Sequence, residues 1–284
     1  MGTRFSGTAA HRRGSVRPSP ALRQICAAAF AALALATCAH AQPSAAEPCR
    51  QLVATGNPEY PPYLWRDPAD DTHLIGASTS LMQMVAKEIG IPIDVRYAGS
   101  WARVQEEAKL GRIDLIAGAF FTSERLDYMD YVYPAFRETR SVVWTRDGAP
   151  LKFQQWNDLK GLAGVTVINN SFGEEFDRFA KVSLKINAVP GLEQALKILQ
   201  LGRADYLIYE EDPALAYIAR LGLAGVNAAA APVSNERLYL TLSHRSHCNT
   251  PEIRAALAKA MYKLARQNVM KKMVDNSVQL WRTR

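Results

Sequence analysis

Apolar and polar positions along the chain keep two alternating rhythms from Gln51 onward. Short apolar runs predict strands at Gln51–Thr55, Ile93–Tyr97 and Asp114–Ala117, and again at Val165–Ile168, Lys185–Val189, Tyr206–Tyr209 and Leu238–Leu242. Between them, apolar residues fall three and four apart, as on one face of a helix. Leu81, Met84, Val85 and Ile89 form such a face over Leu81–Ile89, which Ser78 or Ser80 can cap and Gly90 stops. Further helices are expected at Trp101–Leu110, Phe172–Ala180, Leu192–Leu201, Pro213–Leu221, Pro251–Ala265 and Val269–Val274, with a short one after Thr122 that carries Arg125. Arg140–Thr145 alternates and is apolar enough to cross between halves of the molecule. Prolines and a glycine between Gly56 and Tyr63 predict an irregular loop bearing Tyr60 and Tyr63. Ala228–Ala231 reads as a low-complexity patch. Strands alternating with helices predict an α/β fold.

The pentad Leu-Gly-Arg-X-Asp occurs twice, at Leu110–Asp114 and Leu201–Asp205. Each copy leaves a helical stretch and enters an apolar run, which is the second half of a crossover unit. One copy says little, because Leu-Gly-X-X-Asp is a common helix exit. Two copies in matched context predict two similar lobes of about a hundred residues each, with a cleft between them that suits a small ligand.

The first 41 residues change the picture of charge and location. Arg4, Arg12, Arg13, Arg17 and Arg23 precede an apolar run from Ile25 to Ala36, and Ala39-His40-Ala41 follows. That order predicts a secretory signal peptide cut after Ala41. The run falls short of the roughly 20 residues a membrane span needs. Leu35-Ala36-Thr37-Cys38 is only a faint lipoprotein box, since Thr before the Cys is unfavourable. The five arginines account for most of the formal charge of +7, leaving +2. Lys and Arg in the remainder are dispersed among acids, which argues against a nucleic-acid stripe. Cys26 and Cys38 leave with the leader. Cys49 and Cys248 remain, and in an exported chain they are expected to form one disulfide. A metal site built on His244, His247 and Cys248 has poor ligand spacing.

In open α/β sheets, ligands bind beyond the carboxyl ends of strands. Applied here, that rule selects Tyr60, Trp101, Gly118, Phe120, Thr122, Arg125, Ser171, Tyr209 and Glu210. An arginine, an acid, aromatic faces and a helix N-terminus suit a small zwitterion: Arg125 forks onto a carboxylate, Ser171 and backbone N–H groups share its oxygens, and Glu210 takes an ammonium. Each residue also has a plainer role. Arg125 could pair with Glu124 or Asp127, Tyr60 and Trp101 could be core, Ser171 only a cap, and Glu210 part of the acidic start of the next helix.

With these residues in view, the chain resembles the family 3 extracellular solute-binding proteins, periplasmic receptors of polar amino-acid ABC importers. The resemblance runs from about Leu52 to the C-terminus. It is carried by Tyr60-Pro61-Pro62-Tyr63, by Trp101 before the first pentad, by Thr122-Ser123-Glu124-Arg125, by Tyr131-Val132-Tyr133-Pro134, by Asp158-Leu159-Lys160-Gly161, by Asn170-Ser171 and by the second pentad. It implies a two-lobed periplasmic binding protein of type II topology with two crossovers. Lobe 1 would comprise residues 42–138 and 237–284, and lobe 2 residues 139–236. It further implies that Arg125 holds the α-carboxylate, Tyr60 and Trp101 flank the side chain, Gly118 and Phe120 offer backbone groups, Ser171 a hydroxyl and Glu210 the ammonium contact. The chain departs from the family pattern at Phe120, where Ser is common, at Asn57 and Glu210, where Asp is common, and at Ser78 and Ser80, which replace acids near Gly76. The expected protein is a periplasmic monomer that captures an amino acid or related carboxylate by hinge closure and hands it to an ABC permease. No cofactor, metal or catalysis is expected. The rivals are a periplasmic dehydratase on the same scaffold, with Glu210 as general acid, and a sensory or accessory binder that serves no transporter.

Overall fold

The computed structural model describes residues 48–149 and 151–283, so the expected leader and its cleavage site lie outside the described residues. The described chain begins with strand β1 (Leu52–Thr55) and a small antiparallel sheet of β2 (Glu59–Tyr60), β3 (Leu64–Arg66) and β4 (Leu74–Ile75). Helix α1 (Ala77–Ile89), β5 (Ile93–Val95), α2 (Trp101–Lys109) and β6 (Leu115–Phe120) follow, and then β7 (Met129–Arg146), 18 residues long. The second half runs β8 (Ala163–Val167), α3 (Glu174–Ser183), β9 (Lys185–Val189), α4 (Leu192–Gln200), β10 (Tyr206–Glu210) and α5 (Glu211–Leu221). A second 18-residue strand, β11 (Val226–Ser243), leads to α6 (Pro251–Arg266) and α7 (Val269–Arg282).

All the long-range strands join one sheet of order β5-β1-β6-β11-β7-β10-β8-β9. β1 is parallel to β5 and β6, and β8 is parallel to β9 and β10. Each triplet is bordered by a long antiparallel strand, β11 beside β6 and β7 beside β10, so the second half repeats the order of the first. The long strands pair with each other and are the two crossovers. Glu236 faces Thr139 and Arg237 faces Glu138 in that ladder, so the expected boundaries after 138 and after 236 are adjacent across it. The ladder slips on both sides of Pro232, which has no N–H to donate. The polyalanine patch lies inside β11 and is extended.

The repeated pentad has the same local structure twice. Gly111 and Gly202 take φ of 71° and 69°, a left-handed conformation that glycine adopts without steric cost. The next residue closes the helix in each case: Arg112 N–H reaches the Glu107 carbonyl and Arg203 N–H the Ile198 carbonyl, both at 3.0 Å. Each pentad ends on a carboxylate that accepts the N–H of the neighbouring parallel strand, Asp114 from Val53 and Asp205 from Ala163, both at 2.7 Å.

Four local expectations need correction. Helix α1 starts at Ala77 behind Gly76, with no side-chain cap, so Ser78 and Ser80 lie within its first turn. Residues 59–66 are not irregular, because Glu59–Tyr60 pairs with Leu64–Trp65 across the proline turn. Helix α3 starts at Glu174, not Phe172, because the Asp177 carboxylate folds back onto Phe172 N–H at 2.9 Å and holds the chain extended as far as Gly173. Helix α5 already starts at Glu211, with Pro213 accommodated in its first turn. Cys49 and Cys248 are bonded, with Cα atoms 5.1 Å apart, tying the segment before β1 to the loop after β11. That bond uses the sulfur a metal at Asp114, His247 and Cys248 would need. No helix among the described residues is long and apolar enough to cross a membrane.

Candidate functional site

The site lies where the carboxyl ends of both parallel triplets meet. From the first half, Asn57 follows β1, Trp101 opens α2, Gly118 and Phe120 belong to β6, and Arg125 sits in a 3-10 turn, Glu124–Asp127. From the second half, Asn169 and Asn170 follow β8, and Glu210 ends β10. Tyr60, Trp101, Gly118, Phe120, Arg125 and Glu210 all line one cavity. Its volume of about 20 Å³ has room for about one water molecule, so a larger solute requires the lobes to part. A groove of about 650 Å³ shares Asn57 and Trp101 with it and forms the outer mouth, lined on opposite sides by Glu59 and Arg66 and by Glu193 and Lys197.

Arg125 is 5% exposed. Its guanidinium donates to the Phe120 carbonyl at 2.8 Å and to the Asn169 carbonyl at 3.4 Å, and lies 5.4 Å from the Trp101 ring centroid. Among the described residues no carboxylate approaches it within 4 Å. The plainer expectation, pairing with Glu124 or Asp127 on an exposed helix, therefore does not hold. Gly118 has φ of 136°, where a side chain would be strained.

The Asn169 carbonyl collects three donors from the first half: Trp101 Nε1 at 3.1 Å, Gln105 Nε2 at 3.3 Å and Arg125. Asn169 itself is left-handed, φ 59°, which asparagine tolerates better than most residues. Glu210 is 1% exposed, and the Asn170 amide reaches its two oxygens at 3.3 and 3.4 Å. Burial pushes its carboxyl up to about 7 from the usual 4.5, against the lowering pull of its own backbone N–H, of Asn170 and of the Arg125 charge. Its neighbours in the acidic run do other work: Glu211 pairs with Arg140 at 2.9 Å and Asp212 with Arg137 and Tyr63.

Thr122, Tyr209 and Ser171, also expected there, are not brought to the cavity: Thr122 accepts the Arg125 N–H at 3.3 Å and the Tyr209 hydroxyl accepts from the Asn57 amide at 3.1 Å. Ser171 is held within its own segment. Its hydroxyl donates to Asp177 and accepts from Gly173 N–H at 3.3 Å. Asn57, Ser78 and Asn170 line the cavity instead, with Leu64 and Leu238. In sequence, Asn57 and Ser78 are visible as substitutions for the family's acids, and Asn170 as the neighbour of Ser171. Nothing in the periodicity separates Leu64 or Leu238 from ordinary core leucines.

Two α/β lobes joined by two crossing strands, with opposite charges buried at their junction, define a solute-binding architecture. Residues 52–278 match the bacterial extracellular solute-binding proteins, family 3, and the chain belongs to that family. It is 24% identical over 199 residues to the L-cystine-binding protein TcyA of Bacillus subtilis, covering 70% of this chain and 71% of that one. Among solved structures, it is similar to a histidine kinase sensor domain that resembles periplasmic binding proteins, with a TM-score of 0.69, 20% identity and coverage of 80% of this chain and 95% of that one. It is also similar to the L-arginine-bound amino-acid ABC transporter substrate-binding protein AbpA of Streptococcus pneumoniae, with a TM-score of 0.68, 18% identity and coverage of 82% and 96%. At these identities the solved structures establish the fold.

Proposed function

We propose that this protein is a periplasmic receptor that closes two lobes over a small amino acid and delivers it to an ABC permease. The supporting observation is a buried guanidinium and a buried carboxylate that face one cavity from opposite lobes, Arg125 from the first and Glu210 from the second. Arg125 takes the α-carboxylate, and Glu210, steadied by Asn170, takes the ammonium. Trp101 and Tyr60 supply aromatic faces, and Gly118 and Phe120 border the cavity with backbone. Ser171 acts through Asp177, at one remove from the ligand. A ligand that bridges both charges binds the closed form better than the open one, and closure is what a partner can read. The lobes divide after residues 138 and 236, the protein works as a monomer, and no cofactor takes part. A thermal-shift screen of the common amino acids tests this reading: at least one should raise the melting temperature progressively, roughly with the logarithm of its concentration above Kd, by mass action on the folded state.

One observation favours a second reading. A buried carboxyl titrating near 7 is suited to deliver a proton at neutral pH, as a dehydratase requires. Incubating the screened ligands with the protein and following them by mass spectrometry separates the two: a receptor returns its ligand unchanged, whereas a lyase depletes it.

A further inference from the structure

Among the described residues, Arg125 and Glu210 are the only charged ones that line the cavity; the other described residues of its wall are uncharged. If Arg125 takes the ligand's carboxylate and Glu210 its ammonium, no counter-charge remains for the ligand's side chain. A cation or anion there would be buried unpaired, at a cost that hydrogen bonds alone do not recover. The wall is not wholly apolar, however. Ser78, the second residue of α1, is 1% exposed, and its hydroxyl makes no hydrogen bond to any described group. Its backbone N–H is already satisfied by the Tyr63 carbonyl at 2.8 Å. Buried hydroxyls are normally paired, so this one has an unspent donor and acceptor facing the cavity.

The neighbouring polar group is already engaged. The Asn57 side chain donates to the Tyr209 hydroxyl at 3.1 Å and accepts from Glu59 N–H at 3.0 Å. Ser78 also lies in the first turn of a 13-residue helix with no acid in that turn. The positive end of the helix is therefore unbalanced locally and disfavours a cation.

We propose that Ser78 is a specificity-determining residue of this site, reading an uncharged amide or hydroxyl on the side chain of the bound amino acid. The proposal rests on the roles assigned above to Arg125 and Glu210. It makes the ligand a neutral polar amino acid and excludes arginine, lysine, glutamate and the doubly zwitterionic cystine. Ser78 carries no charge that could hold a cationic side chain, and its hydroxyl can donate to a carbonyl or accept from an amide.

Calorimetry on the full exported chain with L-glutamine, L-asparagine, L-serine, L-leucine, L-arginine, L-lysine, L-glutamate and L-cystine tests it. The wild-type protein should bind one of the first three most tightly. Ser78→Ala should weaken that ligand about fivefold to tenfold, the usual worth of one neutral hydrogen bond, and leave L-leucine within about twofold. Ser78→Asp should shift preference toward L-arginine or L-lysine. A wild-type preference for a charged amino acid or for cystine overturns the proposal, as does an equal loss for leucine in Ser78→Ala. If L-arginine binds best and Arg125→Ala abolishes that binding, the assignment of Arg125 stands and only the role of Ser78 falls. If no amino acid binds, both readings fall together.

Discussion

Glu59 accepts the backbone N–H of Leu192 at 2.8 Å, so a carboxylate from the first half of the chain caps the N-terminus of α4 in the second. The bond sits at the outer mouth of the cleft, where Glu59 and Gly191 face each other. Separating the lobes breaks it, so its energy belongs to the closed arrangement. Removing a side-chain cap typically costs about 0.5–2 kcal/mol. We expect Glu59→Ala to lower ligand affinity by up to about tenfold, mainly by faster dissociation. Gly191→Ala should act in the same direction. Its φ of −152° is extended and suits any residue, but an added Cβ would lie 2.3 Å from the Glu59 carboxylate and push it off. Stopped-flow dissociation on both variants measures this; unchanged off-rates would remove Glu59 from the closed-state balance.

Arg125 offers a sharper test of ligand class. Truncation should cost several kcal/mol of binding, because the ligand's carboxylate is left buried without its partner. Arg125→Lys should also bind poorly. One ammonium cannot fork to two oxygens while keeping the contact that the guanidinium makes with the Phe120 carbonyl. Near-wild-type affinity of the lysine variant in calorimetry would show that charge alone suffices and that the fork is not used.

The disulfide should matter for stability and not for recognition. It closes a loop with a sequence separation of 199, for which the chain-entropy account gives roughly 5 kcal/mol as an upper figure and about 2–4 kcal/mol is usual. Neither cysteine lines the cavity. A Cys49→Ser, Cys248→Ser double variant is therefore expected to unfold at lower urea concentration while keeping its ligand affinity below that concentration. Loss of affinity in the still-folded variant would mean that the bond also positions the site.

Much of this fold is legible in the chain because its decisive features are local. The two pentads encode a helix exit, a left-handed glycine and a strand-capping carboxylate, all within five residues, and the structure repeats them in both halves. The strand-end rule then places Tyr60, Trp101, Gly118, Phe120, Arg125 and Glu210 together without any knowledge of tertiary contacts. The rule also picks Ser171, which does not line the cavity because its surroundings depend on a side chain six residues ahead. Asp177 captures its hydroxyl and moves the helix start to Glu174. Asn170, its neighbour, lines the cavity and reaches Glu210. The three donors on the Asn169 carbonyl are equally unreadable, because they arise from lobe docking and not from any pattern along the chain.

Glu210 gives the last prediction, and its sign depends on the ligand. In the ligand-free protein its pKa is raised by burial from 4.5 to about 7. The folded state therefore holds this proton more tightly than the unfolded chain. The stability Glu210 contributes is fully present below about 4.5 and is lost as pH rises toward 7. An ammonium placed against the same carboxylate reverses the balance, because only the ionised form pairs with it. Binding an amino acid should then release a proton. Affinity should fall as pH drops below about 7, by at most about tenfold per unit for one coupled proton. A carboxylate ligand without an amine should lack this fall. Glu210→Gln should flatten the profile and weaken the amino acid by about 1.5–3 kcal/mol. Calorimetry from pH 5.5 to 8.5 in buffers of different ionisation enthalpy measures both the affinity and the released proton. An amino-acid profile that is flat in the wild-type protein, with no proton release, would mean that Glu210 does not meet the ammonium.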